Sequence, residues 1–583
     1  MDEDHPGRWY RSQLSHHPAG AWCRLVREIF EKRMGMAASI ETVDTDVLVL
    51  GGGLAGYRAA SAARRSGARV VIAYQARGAS QHIIGFNVPR EDADSPDSVE
   101  AYARDTIEGG YGLNDRRLVH VMAANAAPAL RELMEIGVPV QFDGEAIARR
   151  HLSGNTYGRS VYHPNGIGRL AVDRLVELSD EQGIHKLAGW KAISLLHHAS
   201  SVVGALLCRR DGSQLVAVRA ASTILATGGV GAIFGNSTYP PDITADSYAF
   251  ALDSGAELID MEFVQFEPTV IVDPGPCCGM EMPTAMFADG ATLRNSLGQR
   301  FMLEHNPGHG EMQIEKAKIA LAIQAEVSAG RAEKEGTVLF DTSSIPSSRL
   351  ESYIVHCKRL RLAGIDPGKG PIWVKPAAHS HMGGIRIDAN CHTGVPGLYA
   401  AGEASGGVHG ASRIAGNGGS DAIVFGGIAG AAAARRRREL TGLPWSGIVA
   451  NSLEKLEGVP TRNDGPKPED IKNAVRKTML DHVGIVRTER DLQCALSDLD
   501  ILLDEWNAGM CLDKPVDRVR ALEAMSFIMA AKAVSSSSLE RKESRGAHWR
   551  DDYPARDDNN WMCHVSVRKT QTGEFEIGRC GIE

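Results

Sequence analysis

The sequence is short of several things, and each shortage excludes a class of protein. The ten cysteines are scattered through 583 residues, only Cys277 and Cys278 are adjacent, and no C-x-x-C pair occurs. That spacing argues against an iron–sulfur cluster or zinc site held by this chain, and against a disulfide framework, so free thiols in a reducing cytoplasm are expected. No apolar run reaches the roughly 18 residues needed to cross a bilayer. Basic excess is also lacking: the net charge is −8 and the pI about 6.2, which leaves no electrostatic footprint for nucleic acid. Arg435 to Arg438 are the one dense basic run; after an Ala/Gly-rich stretch they read as a solvated helix C-terminus favoured by the dipole. Residues 1–36 have neither an apolar h-region nor a cleavage site, and so do not look like a secretory signal. Internal repeats and low-complexity tracts are missing as well.

What remains is an ordinary globular composition, 43% hydrophobic and 23% charged, in a chain long enough for three or four domains. Glycine is the exception. There are 63, many in short clusters, where a backbone can come close to a ligand.

The most informative cluster follows the apolar run Asp46–Leu50, which reads as a buried strand. Gly51, Gly53 and Gly56 form G-x-G-x-x-G, a helical stretch spans Tyr57–Ser66, and a second strand runs Ala68–Tyr74. The first glycine permits the tight turn, the second lets a pyrophosphate approach, and the third lets helix and strand pack closely. The helix N-terminus, with Leu54 and Ala55, offers N–H groups to phosphate. The second strand ends at Tyr74 instead of the usual acid for ribose hydroxyls, so part of that contact must come from elsewhere. Two later segments point to FAD rather than NAD. One is a strand running into Ala226-Thr227-Gly228-Gly229. The other is Gly397-Leu-Tyr-Ala-Ala-Gly-Glu403, whose Glu403 carboxylate is expected to take ribose hydroxyls that Tyr74 cannot. No second dinucleotide fingerprint is visible.

Further motifs follow in order: Asp260-Met-Glu-Phe-Val-Gln-Phe-Glu-Pro-Thr269, Leu293-Arg-Asn-Ser-Leu-Gly-Gln-Arg-Phe-Met302, His379-Ser-His-Met-Gly-Gly384, His409-Gly-Ala-Ser-Arg413, and the tail Glu543-Ser-Arg-Gly-Ala-His548 with Trp561-Met-Cys-His564. In these the chain resembles the flavoprotein subunits of succinate dehydrogenase and fumarate reductase, a group that also includes L-aspartate oxidase and adenylylsulfate reductase. The resemblance covers roughly residues 45–565. It implies an α/β fold: a Rossmann-like FAD-binding domain interrupted by an α+β capping domain and followed by a C-terminal helical domain. The expected boundaries are an N-terminal extension at 1–44, FAD-binding parts at 45–285 and 376–440, a cap at 286–375, and a helical domain with tail at 445–583. The change of texture at 286–375, with less glycine punctuation and a long helical stretch near 312–330, agrees.

The resemblance also implies site roles. His379 helps fix a substrate carboxylate and Arg413 clamps it, as a guanidinium can do bidentately. His381 is expected to play a supporting or structural part. Two departures stand out. The family has His where this chain has Glu267, and a carboxylate there repels an anionic substrate unless it is paired or protonated. The dicarboxylate enzymes carry Arg-Gly-Glu-Gly in the cap, with the Arg as proton donor, but here the segment is Thr284-Ala-Met-Phe-Ala-Asp-Gly290. Asp289 is then either an acid/base group or a loop cap, and Glu267, Asp289 and Thr284 are substrate-pocket candidates. These departures favour a carboxylate substrate other than plain fumarate or succinate.

His82 lies eight positions beyond Tyr74, where membrane-complex relatives attach flavin covalently. Its neighbours Gln81 and Ile83 differ from the family's Ser-His-Thr, so attachment stays open, and Asn87 is expected to contact the ring. Asn417 completes the flavin-binding candidates. Three functions fit: a flavoprotein subunit exchanging electrons with an iron–sulfur partner, a stand-alone enzyme resembling L-aspartate oxidase, or a non-catalytic FAD electron relay.

Overall fold

A computed structural model describes residues 39–90, 95–436 and 440–582; the segment 1–36 and Arg437 and Arg438 lie outside the described residues. The strand seen in Asp46–Leu50 is longer than its apolar core: β1 spans Glu41–Leu50 because its polar half also pairs with a neighbour. The chain turns at Gly51–Gly53 into α1 (Leu54–Arg65), which starts three residues before the expected Tyr57. It returns through β2 (Val70–Tyr74), parallel to β1. Next come β3 (His185–Ala188), β4 (Trp190–His198), β5 (Ser201–Arg209) and β6 (Leu215–Leu225). The sheet order is β3-β2-β1-β6-β5-β4. The parallel part is β3, β2, β1 and β6, with Val47 opposite both Val70 and Ser222, and the β4–β5–β6 meander is antiparallel. Val47, Leu48 and Val49 have no solvent exposure, as parallel strands covered on both faces require.

After β6 a second sheet forms from β7 (Val264–Asp273), β8 (Thr292–Arg294), β9 (Val338–Asp341) and β10 (Trp373–His381), in the order β7-β10-β9-β8 and antiparallel throughout. Helix α2 (Lys316–Ser328) packs on it. Ile271, Met286, Phe287, Leu293, Phe301, Ile319, Ile323, Phe340 and Val374 form a hydrophobic core separate from that of the first sheet. This cap core draws on Ile271, Cys277, Met280 and Met282, all before residue 286. The long strands β7 and β10 lie in the cap at one end and reach back toward the flavin-binding sheet at the other.

The chain then rejoins the first sheet. Strand β11 (Leu398–Ala400) adds parallel to β6, and α3 (Asn417–Arg435) packs along α1. Gly426 and Gly430 make that contact close: a Cβ on Gly430 would lie 2.1 Å from the Ala59 carbonyl oxygen. Helices α4 (Pro468–His482), α5 (Glu489–Ala508) and α6 (Pro515–Glu540) follow. Their apolar faces, among them Val475, Leu499 and Phe527, join the main core. No described helix is long and apolar enough to cross a membrane, and none of the nine described cysteines is in a disulfide.

Candidate functional site

The dinucleotide cradle is built by close contacts that only glycine permits. Gly51 has φ +126°, and a Cβ there would sit 2.1 Å from the Ala226 carbonyl oxygen; one on Gly56 would sit 2.0 Å from that of Gly51. Gly52 is covered by the Tyr74 ring, which a Cβ would meet at 2.6 Å. Gly53 caps α1 and has no side chain to occupy its first-turn N–H groups. The Leu54 amide donates to Ser80 Oγ at 3.0 Å. The Thr227 hydroxyl next to the cradle is buried without a partner among the described residues. Open helix-end donors, an orphaned hydroxyl and glycine-only walls fit a pyrophosphate. Ser80 was not anticipated, because nothing in the sequence shows that the loop after β2 folds back over the helix end.

Glu403 lies elsewhere than expected. It follows β11, and the order β2-β1-β6-β11 sets it three strands from Tyr74, roughly 14 Å at ordinary strand spacing. Glu403 instead accepts from the Tyr239 hydroxyl and, at 2.9 Å, from the His381 amide. Burial, with Glu403 beside it, holds the Tyr239 phenol well above its usual range, so it stays a donor. His381 is 1% exposed, and burial lowers its ring to about 4. It is neutral and packs edge-on to Tyr248 at 5.7 Å. His82 is exposed at the end of a single 3-10 turn. Asn87 and Asn417 are bonded to each other, Nδ2 to Oδ1 at 2.7 Å; Asn417 also accepts from the Tyr102 hydroxyl and donates to Thr106 Oγ1. Both side chains tie the start of α3 to the strand at Phe86–Asn87, and the buried Asn87 Oδ1 has no partner among the described residues.

Where β7 and β10 leave the cap, five charged or titratable side chains converge. His379 Nδ1 is 3.0 Å from Glu281 Oε1 and 3.1 Å from Thr238 Oγ1. Glu267, opposite Ala377 on β10, is 1% exposed, and its Oε2 accepts from Lys316 Nζ at 2.5 Å. The ligand atoms of Glu267, Glu281 and His379 lie within 4.8 Å of one another. Burial pushes the Glu281 carboxylate up, but the His379 ring, Lys316 and Arg413 together hold it below the ordinary range. Its side chain is still 38% exposed. Arg413 completes the group: its Nε donates to Ser380 Oγ at 2.9 Å and its Nη1 to the Ile414 carbonyl at 3.2 Å, which fixes the guanidinium plane.

The expected residues His379, Arg413 and Glu267 are thus brought together, and Lys316 and Glu281 join them unannounced. Lys316 opens a helix that was legible as a helix but carried no motif. Glu281 stands between Met280 and Met282, a lone charge in an apolar stretch, and that was its only signal. Asp289 stays apart from the cluster: it accepts from Arg349 Nε at 2.8 Å and the Tyr353 hydroxyl at 2.5 Å within the cap. Thr284 precedes a short helix at Ala285–Ala288 and makes no side-chain cap.

Comparison with known proteins fits this geometry. The family described as FAD binding domain matches residues 46–418, and the one described as Fumarate reductase flavoprotein C-term matches 472–580. The chain is 34% identical over 554 residues to one subunit of the fumarate reductase (CoM/CoB) of Methanothermobacter marburgensis, covering 92% of this chain and 100% of that one. It is 32% identical to an L-aspartate oxidase of Caulobacter vibrioides, covering 88% and 94%. Among solved structures, E. coli quinol fumarate reductase superposes with a TM-score of 0.86 at 26% identity, over 93% of this chain and 97% of that one. Sdh1 of Mycobacterium smegmatis gives 0.84 at 29%, over 93% and 95%. The chain is an FAD-dependent oxidoreductase and belongs to the flavoprotein family of fumarate reductase and succinate dehydrogenase.

Proposed function

We propose that the cleft between cap and flavin domain binds a small carboxylate-bearing substrate other than plain fumarate or succinate, and that Lys316 is its proton carrier. FAD, held by Gly51, Gly53, Gly56, Leu54, Ala55 and the Ala226–Gly229 turn, supplies two-electron hydride chemistry when bound. Arg413, braced by Ser380, grips the substrate carboxylate. The Glu281 carboxylate fixes the His379 ring through Nδ1, so Nε2 is the nitrogen left to meet the substrate. Lys316 holds a proton at Nζ for the carbon next to the one that exchanges hydride, the role for which the cap segment 284–290 has no arginine. We place Glu403, with Tyr239, toward the flavin rather than the adenosine ribose.

The observation that carries the substrate reading is the balance of charge. Two cations, Arg413 and Lys316, face two carboxylates, Glu267 and Glu281. Since Lys316 is taken up by Glu267, a dicarboxylate entering such a cleft meets Arg413 with one end and a carboxylate-rich wall with the other. A monocarboxylate or an amine-bearing carboxylate finds its match. The purified FAD-loaded protein, given reduced viologen as donor, is expected to reduce fumarate slowly if at all and a monocarboxylic enoate such as crotonate faster. Rapid fumarate reduction overturns the reading.

Electrons need a route out of the flavin. The only group of three or more metal-type ligands among the described residues is the Glu267, Glu281, His379 cluster, and a cysteine cluster site does not occur in the sequence. The 34% identity to a chain that is one subunit of a fumarate reductase supports a partner chain that takes up these electrons, and we assign that partner an iron–sulfur cluster. The L-aspartate oxidase relatives at about 30% identity favour a second reading, a stand-alone oxidase. Oxygen uptake by the isolated chain with L-aspartate separates the two.

A further inference from the structure

Lys316 is the first residue of α2, and the cap residue of that helix, Glu315, does not use its side chain to cap it. That carboxylate turns outward instead, and its Oε2 accepts from the Tyr111 hydroxyl at 2.5 Å. Tyr111 belongs to the flavin domain, in the loop after the helix Val99–Gly109. Its own backbone is unusual, with φ +59°, a left-handed conformation that a bulky residue avoids unless its surroundings impose it.

Those surroundings come from the C-terminal tail. Arg545 Nη1 donates to the Tyr111 carbonyl at 3.1 Å. Arg545 is 2% exposed and is itself fixed by Glu543 at 2.7 and 2.9 Å and by Asp558 at 2.8 Å. The Arg556 guanidinium stands 5.8 Å from the centre of the Tyr111 ring. Burial and the neighbouring Glu315 push the phenol well above its usual range, so at neutral pH it is a donor. On the cap side, the Glu315 carbonyl accepts from the amides of Lys318 and Ile319 at 3.0 and 3.1 Å, so displacing Glu315 displaces the first turn of α2.

We infer that Tyr111 is a positioning residue: its hydroxyl, anchored through the buried tail arginine Arg545, ties Glu315 and the first turn of α2 to the flavin domain and so sets where Lys316 Nζ lies. The inference rests on the reading of Lys316 as proton carrier, but position and proton role can be measured apart. Nothing in the motif pattern singles out Tyr111. The chain of contacts does, running without a gap from the tail through Arg545, Tyr111 and Glu315 to the residue beside Glu267.

The test is competitive acetylation of the full-length FAD-loaded protein with trace acetic anhydride. Labelling of Lys316 is read against Lys477, which is 77% exposed on α4. In the wild type the pairing with Glu267 keeps Lys316 slow. Tyr111→Phe is expected to raise the Lys316:Lys477 ratio about five-fold, the change one lost hydrogen bond brings to a local equilibrium, while the melting temperature barely moves. Glu315→Ala is expected to do the same. Glu315→Gln, whose amide oxygen still accepts from the phenol, is expected to stay near the wild-type ratio. An unchanged ratio in Tyr111→Phe and Glu315→Ala overturns the inference, and so does a Glu315→Gln variant that labels like Glu315→Ala. Loss of turnover in Lys316→Met addresses the proton role only, so either reading can fail without the other.

Discussion

The Lys316 ammonium of the cap lies 2.5 Å from the Glu267 carboxylate of β7, a strand that also reaches the flavin side, and Glu267 is 1% exposed. A carboxylate so buried needs a partner, since desolvation alone disfavours its charge. Lys316 supplies that partner, which sets an ammonium group beside Glu267.

Lys316→Met is expected to lower turnover by about 10²–10⁴-fold, the usual contribution of a positioned acid or base. It also leaves Glu267 buried without its cation. Removing one partner of a fully buried pair costs about 3–5 kcal/mol; Lys316 is 22% exposed, so the cost here falls toward the lower end. Adding Glu267→Gln to Lys316→Met is expected to restore the denaturant midpoint and leave turnover low. If the double variant regains activity, Lys316 served the fold and not the chemistry.

The glycine cradle gives a second expectation. Gly51→Ala and Gly56→Ala place a Cβ about 2 Å from backbone oxygens that cannot step aside. Both proteins should purify without the flavin absorbance near 450 nm. Gly67→Ala is the matched control: its φ is +84°, but a Cβ there meets nothing within 4 Å. It should lose about 1–2 kcal/mol of stability from the left-handed backbone and keep its FAD. A colourless Gly67→Ala would mean that flavin loss reports general damage.

The cradle was legible in the sequence because its constraint is local: glycine, strand and helix must be consecutive, and the chain shows them so. His379 and Arg413 were legible through the motifs around them. Glu281, Lys316 and Ser80 were not, because each acts only through a partner brought near by folding: Glu281 through His379, 98 residues later, and Lys316 through Glu267, 49 residues earlier. Glu403 shows the opposite case, a motif that is visible while its neighbours are not. Its Gly-Glu pair was visible, but the ribose it was assigned depended on strand order, and a sequence does not state that β6 and β1 lie between β11 and β2. For Asp289 the sequence allowed either an acid/base group or a loop cap; Arg349 and Tyr353, 60 and 64 residues on, hold it inside the cap.

Arg413 should be the main determinant of carboxylate affinity. Its Nε is taken by Ser380 and one Nη1 hydrogen by Ile414, which leaves the Nη1–Nη2 edge for a carboxylate. Arg413→Lys keeps the charge and loses the planar fork, so crotonate binding, read as a shift in the flavin spectrum, should weaken about 10–100-fold. Ser380→Ala should weaken it less, since the positive charge remains. Equal binding in Arg413→Lys and the wild type would mean that a point charge suffices and the clamp is not bidentate.

Acid stability should turn on Glu523, far from the cleft. It is 8% exposed on α6 and receives Lys191 Nζ at 2.7 Å and Lys472 Nζ at 3.2 Å. Burial alone would raise its carboxyl, but the two ammonium groups override that and bring it down to about 2. A carboxyl depressed in the folded state stabilises the fold above its unfolded pKa, and that stability is lost as pH falls through the folded value. The window here runs from roughly pH 4.5 down to 2, and the contribution at neutral pH is about 3 kcal/mol. Glu523→Gln should therefore be less stable at pH 7 by a similar amount, because each lysine loses a carboxylate and keeps one, Glu469 for Lys472 and Asp246 for Lys191. Its denaturant midpoint should also fall less steeply than the wild type's between pH 5 and 3, so that the two curves converge on the acid side. Parallel curves would show that Glu523 titrates alike folded and unfolded, and that the two lysines do not hold its charge.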